Sequence, residues 1–278
     1  MPELPEVELV ARSLDRLVVG LRVEAAKLIR PGLAPGNTPR EFARDLRGAR
    51  FEEVGRRGKH ILAKLDNGRV LITHLRMTGR FLLLPPRRPL PKHTHALFHL
   101  DDGRRLAFTD QRHFGLMKVV PLERLADARE LRGLAPEPFS EEFTPDYLAH
   151  VLARTSRALK DVLLDQTKVT GLGNIYAAEV LHLARVNPFA TASHVPRRHV
   201  TRLHRAILEV LGEALALGST MNVDPENIDG SYFGEGGYNG RWRVYDREGE
   251  PCLKCKDPIR RATHAGRSTY YCARCQNC

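Results

Sequence analysis

The sequence predicts a mixed α+β protein: a leading helix, a β-rich stretch built as a sandwich or a barrel, a helical segment and a short cysteine-bearing ribbon. Three observations carry this. Hairpin signals recur between residues 21 and 120, three stretches after residue 143 place apolar residues at helical spacing, and all five cysteines fall in the last 27 of 278 residues.

The chain opens "MPELPEVELV". Pro2 and Pro5 suit the first turn of a helix, Glu3, Glu6 and Glu8 complement its dipole, and Leu4, Val7, Leu14, Leu17 and Val18 follow at roughly helical spacing. A chemical reading stands beside this structural one. Residue 2 is small enough for Met1 to be removed, which leaves Pro2 as a secondary α-amine with a pKa of about 8, partly unprotonated at neutral pH. Such an amine attacks carbonyl carbons and forms an iminium, a permanent cation that withdraws electrons, with Glu3 beside it to move protons.

Next comes the β-rich part. "FEEVGRRGKHILAKLDNGRVLITHL" reads as two strand runs joined at Asp66-Asn67-Gly68; "HALFHLDDGRRLAFTD" repeats the pattern at Asp101-Asp102-Gly103; "FGLMKVV" adds a strand and "PRRPLPKH" a surface loop. Lys59 falls inside the first run, where a solvated strand lysine is expected. "LRGLAPEPFSEE" reads as a linker. Thr144 then caps a helix with Pro145 at its first position, and "SRALKDVLLDQ", "NIYAAEVLHLA" and "RRHVTRLHRAILEVLGEALALG" are amphipathic. Gly171 and Gly173 place a helix start at Asn174, either a simple glycine turn or a phosphate-binding N-terminus. Residues 222–240 hold four acids, five glycines and no lysine or arginine, and read as a flexible loop.

Cys252-x2-Cys255 and Cys272-x2-Cys275, sixteen residues apart, match a four-thiolate zinc site on two knuckles, with Cys278 left as a terminal thiol. The formal charge of +11 and a pI near 9.7 favour a polyanionic partner, nucleic acid before an acidic membrane surface. Residues 241–278 carry nine Lys/Arg against four Asp/Glu, so the ribbon stays basic even with a zinc tetrathiolate. No apolar run approaches membrane-spanning length and no signal-peptide pattern opens the chain, so a cytoplasmic protein is expected.

Six motifs in order, "PELPEVE", "RRGKHIL", "HLRMTGR", "DQRHFG", "GLGNIYAAE" and "GRSTYYCARCQ", make the chain resemble the bacterial formamidopyrimidine-DNA glycosylases over nearly its whole length. The endonuclease VIII-type glycosylases for oxidised pyrimidines share the start and the ribbon but generally lack the third and fourth motifs. The resemblance implies an N-terminal antiparallel β-sandwich catalytic domain (1–133), an all-α helix-two-turn-helix DNA-binding domain with a lesion-closing loop (134–240) and a zinc ribbon (241–278). It implies a monomer that removes 8-oxoguanine and formamidopyrimidines from damaged double-stranded DNA and cuts the strand by β,δ-elimination. Pro2 would be the nucleophile, Glu3 the proton shuttle and Glu6 a supporting acid. Lys59 and Arg267 would join the catalytic set as phosphate binders, while Asn174, a further phosphate binder, Lys160, near the active site, and His93 would belong to the DNA-binding set. Met77, Arg112 and Phe114 would fill the space of the flipped nucleotide. The one zinc ion, on Cys252, Cys255, Cys272 and Cys275, would be structural. The segment from Ser219 to Pro251 departs from the family pattern in length and acidity, so no base-contacting residue is assigned within it, although Tyr232, Phe233 and Tyr238 offer aromatic contacts. A non-catalytic zinc DNA-binding protein would not account for the Pro2-Glu3 start, and an N-terminal-proline tautomerase would need neither ribbon nor basic helices.

Overall fold

The computed structural model describes residues 1–221 and 236–277. It divides into two compact units, Met1–Arg132 with Gly218–Gly237, and Gly133–Leu217 with Tyr238–Cys278.

The first unit begins with α1 (Leu4–Val18), β1 (Val23–Leu28) and α2 (Pro39–Leu46). Seven strands follow: β2 (Phe51–Arg57), β3 (His60–Leu65), β4 (Arg69–His74), β5 (Gly79–Leu84), β6 (Thr94–Leu100), β7 (Arg105–Asp110) and β8 (Leu116–Pro121). They form two four-stranded antiparallel sheets, β1-β6-β7-β5 and β2-β3-β4-β8, so the β-rich stretch is a sandwich and not a barrel. Val54, Ile61, Leu71, Phe81, Phe98 and Phe108 share one buried cluster with Val7, Val10 and Leu14 of α1 and Phe42 of α2. Each such side chain contributes about 1.5–3 kcal/mol on burial. The turns at Asn67-Gly68 and Asp102-Gly103 lie where expected, with both glycines at positive φ.

Two elements depart from the sequence reading. The stretch from 21 to 120, read mostly as strands, contains α2. Its signal is local: Thr38 Oγ1 accepts the Glu41 N–H, Glu41 returns a carboxylate oxygen to the Thr38 N–H, and Pro39 follows the cap. The first β run also splits in two. Gly58 and Lys59 form the turn between β2 and β3, with Arg57 paired to His60, and Gly58 at φ 59° takes the position where such turns need glycine. Lys59 is therefore a turn residue, and it is only 4% exposed, not a solvated strand lysine.

The second unit holds α3 (Pro145–Ala153), α4 (Leu159–Leu164), α5 (Asn174–Ala184), α6 (Arg197–Ala216) and the hairpin β9 (Arg260–His264)–β10 (Arg267–Tyr271). Thr144 caps α3 through the Tyr147 N–H. Helix α4 is shorter than its amphipathic stretch, because the Asp165 carboxylate turns the chain by accepting from Thr167 N–H and Oγ1. Helix α5 coincides with "NIYAAEVLHLA" and packs on α6. Its Ala178 enters a second cluster with Val244, Cys252, Ile259, Tyr270 and Cys272, which seats the ribbon on α5.

Candidate active site and zinc centre

In the first unit, Pro2 and Glu3 are buried ahead of α1, with Glu3 as its N-cap. The Glu6 carboxylate ties the N-terminal segment to the stretch around Thr220. Its Oε2 accepts the Glu3 N–H at 2.8 Å, and its Oε1 accepts the Thr220 N–H at 3.2 Å and hydroxyl at 2.9 Å. The backbone of Ser219–Met221 is thereby fixed against the N-terminus. Gly236 packs on it so closely that a Cβ there would lie 2.3 Å from the Ser219 carbonyl oxygen. Residues 222–235, with Tyr232 and Phe233, lie outside the described residues, as does Cys278. Tyr238, in the second unit, is fully buried against Tyr176 and Trp242.

Met77, Arg112 and Phe114 converge. The Arg112 guanidinium donates to Met77 Sδ at 2.8 Å and stands 5.0 Å from the centre of the Phe114 ring. Phe114 is 54% and Met77 38% exposed, an unusual placement for large apolar side chains. The two loops that carry them are held from inside by Asp110. Its Oδ2 accepts the Gly115 N–H at 2.6 Å, and its Oδ1 accepts the Arg112 N–H at 3.2 Å and the Thr78 hydroxyl. Burial opposes the charge on Asp110, but the Thr78 hydroxyl and the N–H groups of Gly115, Arg112 and Phe114 prevail and bring its pKa below the ordinary carboxylate value. Arg76 and His113, one on each loop, sit at positive φ, strain that such anchors must sustain. His93 is exposed, with its ring 5.7 Å from that of His113, so it belongs to the same surface.

Lys59 lies beside the His60–His74 pair, near enough for its charge to act on His74. His60 and His74 stack edge-on at 4.7 Å, and His74 Nδ1 accepts the Arg76 N–H. Burial, and after it the charges of His60, Arg76 and Lys59, push His74 down to about 2; burial likewise drives His60 to about 4. Both rings stay neutral beside the cations, so the positive charge there is that of Lys59 and Arg76.

In the second unit, Lys160 and Asn174 meet on one strand. Lys160 Nζ donates to the Ser268 carbonyl at 3.0 Å and to Thr269 Oγ1 at 2.7 Å, and Asn174 Nδ2 donates to the same carbonyl at 3.0 Å. Lys160 is 1% exposed, where an amphipathic helix would ordinarily expose it. Arg267, exposed next to Ser268, follows the Ala265-Gly266 turn of the hairpin. Glu179 clamps the approach to the ribbon: its carboxylate accepts the N–H groups of Arg243, Val244 and Tyr245 at 2.7–2.9 Å. Burial raises its pKa against those donors.

The four knuckle cysteines are free thiols whose Sγ atoms lie within 4.8 Å of one another, with Cys255–Cys272 at 3.3 Å and Cys252–Cys275 at 3.9 Å. Four thiolates around zinc at about 2.3 Å stand roughly 3.8 Å apart, so the set fits the ion. The Cys275 N–H already points at Cys272 Sγ, 3.5 Å away.

Comparison with known proteins decides what this arrangement belongs to. Residues 1–117 match the model of the formamidopyrimidine-DNA glycosylase N-terminal domain, residues 134–224 that of the H2TH domain of the same enzymes, and residues 249–277 a zinc finger found in FPG and IleRS. The chain belongs to the formamidopyrimidine-DNA glycosylase family. It is 42% identical to the formamidopyrimidine-DNA glycosylase of Desulforamulus reducens and 43% identical to that of Bacillus licheniformis, with 99% of both chains covered in each case. Among solved structures, it is similar to the wild-type Lactococcus lactis Fpg in complex with DNA containing N7-benzyl-Fapy-dG, at TM-score 0.91, 31% identity and full coverage of both chains. It is also similar to L. lactis Fpg with DNA containing an abasic site, at TM-score 0.90, 30% identity and 99% coverage of both. The formamidopyrimidine branch is thus favoured over the endonuclease VIII-type alternative, as "HLRMTGR" and "DQRHFG" imply. The family's zinc finger accounts for the tetrathiolate.

Sequence reading missed three residues that hold the site: Asp110, Thr220 and Glu179. Asp110 opens "DQRHFG" and Glu179 closes "GLGNIYAAE", but nothing local says that their carboxylates face backbone N–H groups. Thr220 meets Glu6 across 214 positions and has no signal in the sequence.

Proposed function

We propose that this chain excises oxidised purines, 8-oxoguanine and formamidopyrimidines, from duplex DNA and then cleaves the strand. The observation that carries the proposal is the buried Pro2-Glu3 pair at the N-terminus of α1, in a chain that matches the family model from residue 1. Removal of Met1 frees the Pro2 amine. Its nitrogen attacks C1′ of the damaged nucleotide, the glycosidic bond breaks, and the base departs with its electron pair and a proton. Glu3 shuttles protons during base release and ring opening. The resulting iminium acidifies C2′; loss of that proton expels the 3′ phosphate, a second elimination expels the 5′ phosphate, and hydrolysis of the iminium by water returns the free amine.

The other residues bind and position. Lys59, Asn174 and Arg267 take phosphates, the last through a guanidinium suited to paired oxygens. Met77 and Phe114 occupy the space the extruded nucleotide leaves, Arg112 meets the opposite base, and His93 contacts DNA beside them. Lys160 serves the DNA side through Ser268 and Thr269, the strand it holds next to Arg267. Residues 1–133 carry the chemistry and share the DNA contacts with 134–240 and the ribbon. The enzyme acts as a cytoplasmic monomer; among the described residues, no helix is long and apolar enough to cross a membrane. Borohydride trapping on abasic-site DNA tests the chemistry. The processed protein should become covalently attached, and protein that retains Met1 should bind DNA without attachment. An adduct from the Met1-bearing protein would overturn the assignment of Pro2.

A further inference from the structure

The zinc centre has a histidine neighbour outside its four ligands. His182 lies in the last turn of α5 and is 6% exposed, and its Nε2 stands 3.5 Å from Cys252 Sγ. Its Nδ1 is buried with no partner among the described residues. A zinc-bound thiolate can only accept, so Nε2 carries the proton and points it at sulfur. An imidazole buried with no hydrogen bond costs free energy, and this contact is the compensation that His182 has.

The four thiolates do not share one environment. Cys255 and Cys275 are half-buried and line a cleft with Arg185, Arg202, Lys254 and Arg274, cations that offset the charge of a tetrathiolate. Cys252 is fully buried and does not line that cleft. We infer that His182 is an outer member of the zinc site, whose N–H···S bond withdraws charge from the Cys252 thiolate and protects it from oxidation. The thiolate sulfur attacks a peroxide oxygen: an S–O bond forms, the O–O bond breaks, hydroxide leaves, and the sulfenic acid no longer holds zinc. Less charge on sulfur slows that attack. Helix α5 thus secures the ribbon twice along one stripe, Glu179 on residues 243–245 and His182 three positions later on Cys252.

The test uses the full-length zinc protein with His182→Phe, an apolar replacement of similar size, and His182→Gln, which keeps an N–H donor. Hydrogen peroxide is added, zinc release is followed with a chromogenic chelator, and the oxidised cysteine is located by mass spectrometry. The phenylalanine variant should release zinc roughly ten-fold faster, at the low end of what losing an outer hydrogen bond to a metal ligand costs, with oxidation appearing first at Cys252. The glutamine variant should stay close to wild type. If the phenylalanine variant does not fold, His182→Leu replaces it in the same comparison. Wild-type release from the apolar variant overturns the inference. So do equal increases in the apolar and glutamine variants, which would mean that ring packing and not the donor matters.

Discussion

Asp110→Asn isolates the loop-holding function from the chemistry. In the native protein, Oδ1 accepts from the Thr78 hydroxyl and the Arg112 N–H, and Oδ2 from the Gly115 N–H at 2.6 Å. An asparagine can present its oxygen to one side only, and its NH2 then faces a donor on the other. The lost ionic hydrogen bond is worth about 1.5–3 kcal/mol, and the buried donor left behind adds to it, so the expected destabilisation is about 3 kcal/mol. Relaxation at Gly115 is blocked, because the backbone there sits against the Phe108 ring, which even a Cβ would approach to 2.9 Å. The 111–115 loop should therefore loosen, carrying Arg112 and Phe114 with it, while Pro2 and Glu3 keep their places. Urea denaturation measures the stability loss. Single-turnover excision of 8-oxoguanine opposite cytosine and adenine measures the function, and trapping at a preformed abasic site controls for the chemistry. Discrimination should fall with trapping largely retained. A variant as stable as wild type would refute the hydrogen-bond reasoning; one that is destabilised but fully discriminating would refute the role of the loop.

Arg112→Ala should lose roughly 1–3 kcal/mol of preference for cytosine over adenine opposite the lesion, the value of one charged contact to a base edge, checked by the same paired excision rates. Metal analysis should find one zinc in Cys278→Ser and none in Cys252→Ser, since only the latter removes one of the four clustered thiols. Stability should fall as pH drops from 6.5 towards 4. Folded His60 and His74, held down to about 4 and about 2, refuse protons that the unfolded chain binds from about 6.5 downward, so each contributes a loss of roughly 2 kcal/mol at pH 5. Unfolding free energies at pH 7 and 5 check this, and His74→Phe should flatten the dependence.

What the sequence shows and what it hides follows from range. Helix α5 is legible residue for residue because apolar periodicity and the Gly173 start are both local. The zinc ligands are legible because knuckle geometry is written in the spacing. Helix α2 was equally readable from Thr38, Pro39 and Glu41 but was masked by the strand-like stretches around it. The motif reaches Lys59 while mistaking its setting, since a two-residue turn inside a β-rich run differs from a strand by the conformation of one glycine. Burial of Lys160 could not be read at all, because its partners on Ser268 and Thr269 are 108 and 109 positions away.

A basic DNA-binding protein faces a conflict: cations that fold it are cations withheld from phosphate. Three of the buried carboxylates at these sites answer it in the same way. Glu6 holds Thr220, Asp110 holds the 111–115 loop and Glu179 holds residues 243–245, each by accepting main-chain N–H groups. Backbone donors carry no net charge, so the loop bearing Arg112 is anchored without spending its exposed guanidinium on a carboxylate, whereas Arg243 also pairs its guanidinium with Glu213. The arrangement also resists its own ligand. A phosphate that attracts surface cations gains little against a carboxylate already satisfied in the interior, where the competing charge would first have to be desolvated. Holding the loops from within therefore lets a chain of charge +11 meet a polyanion with these loops already in place.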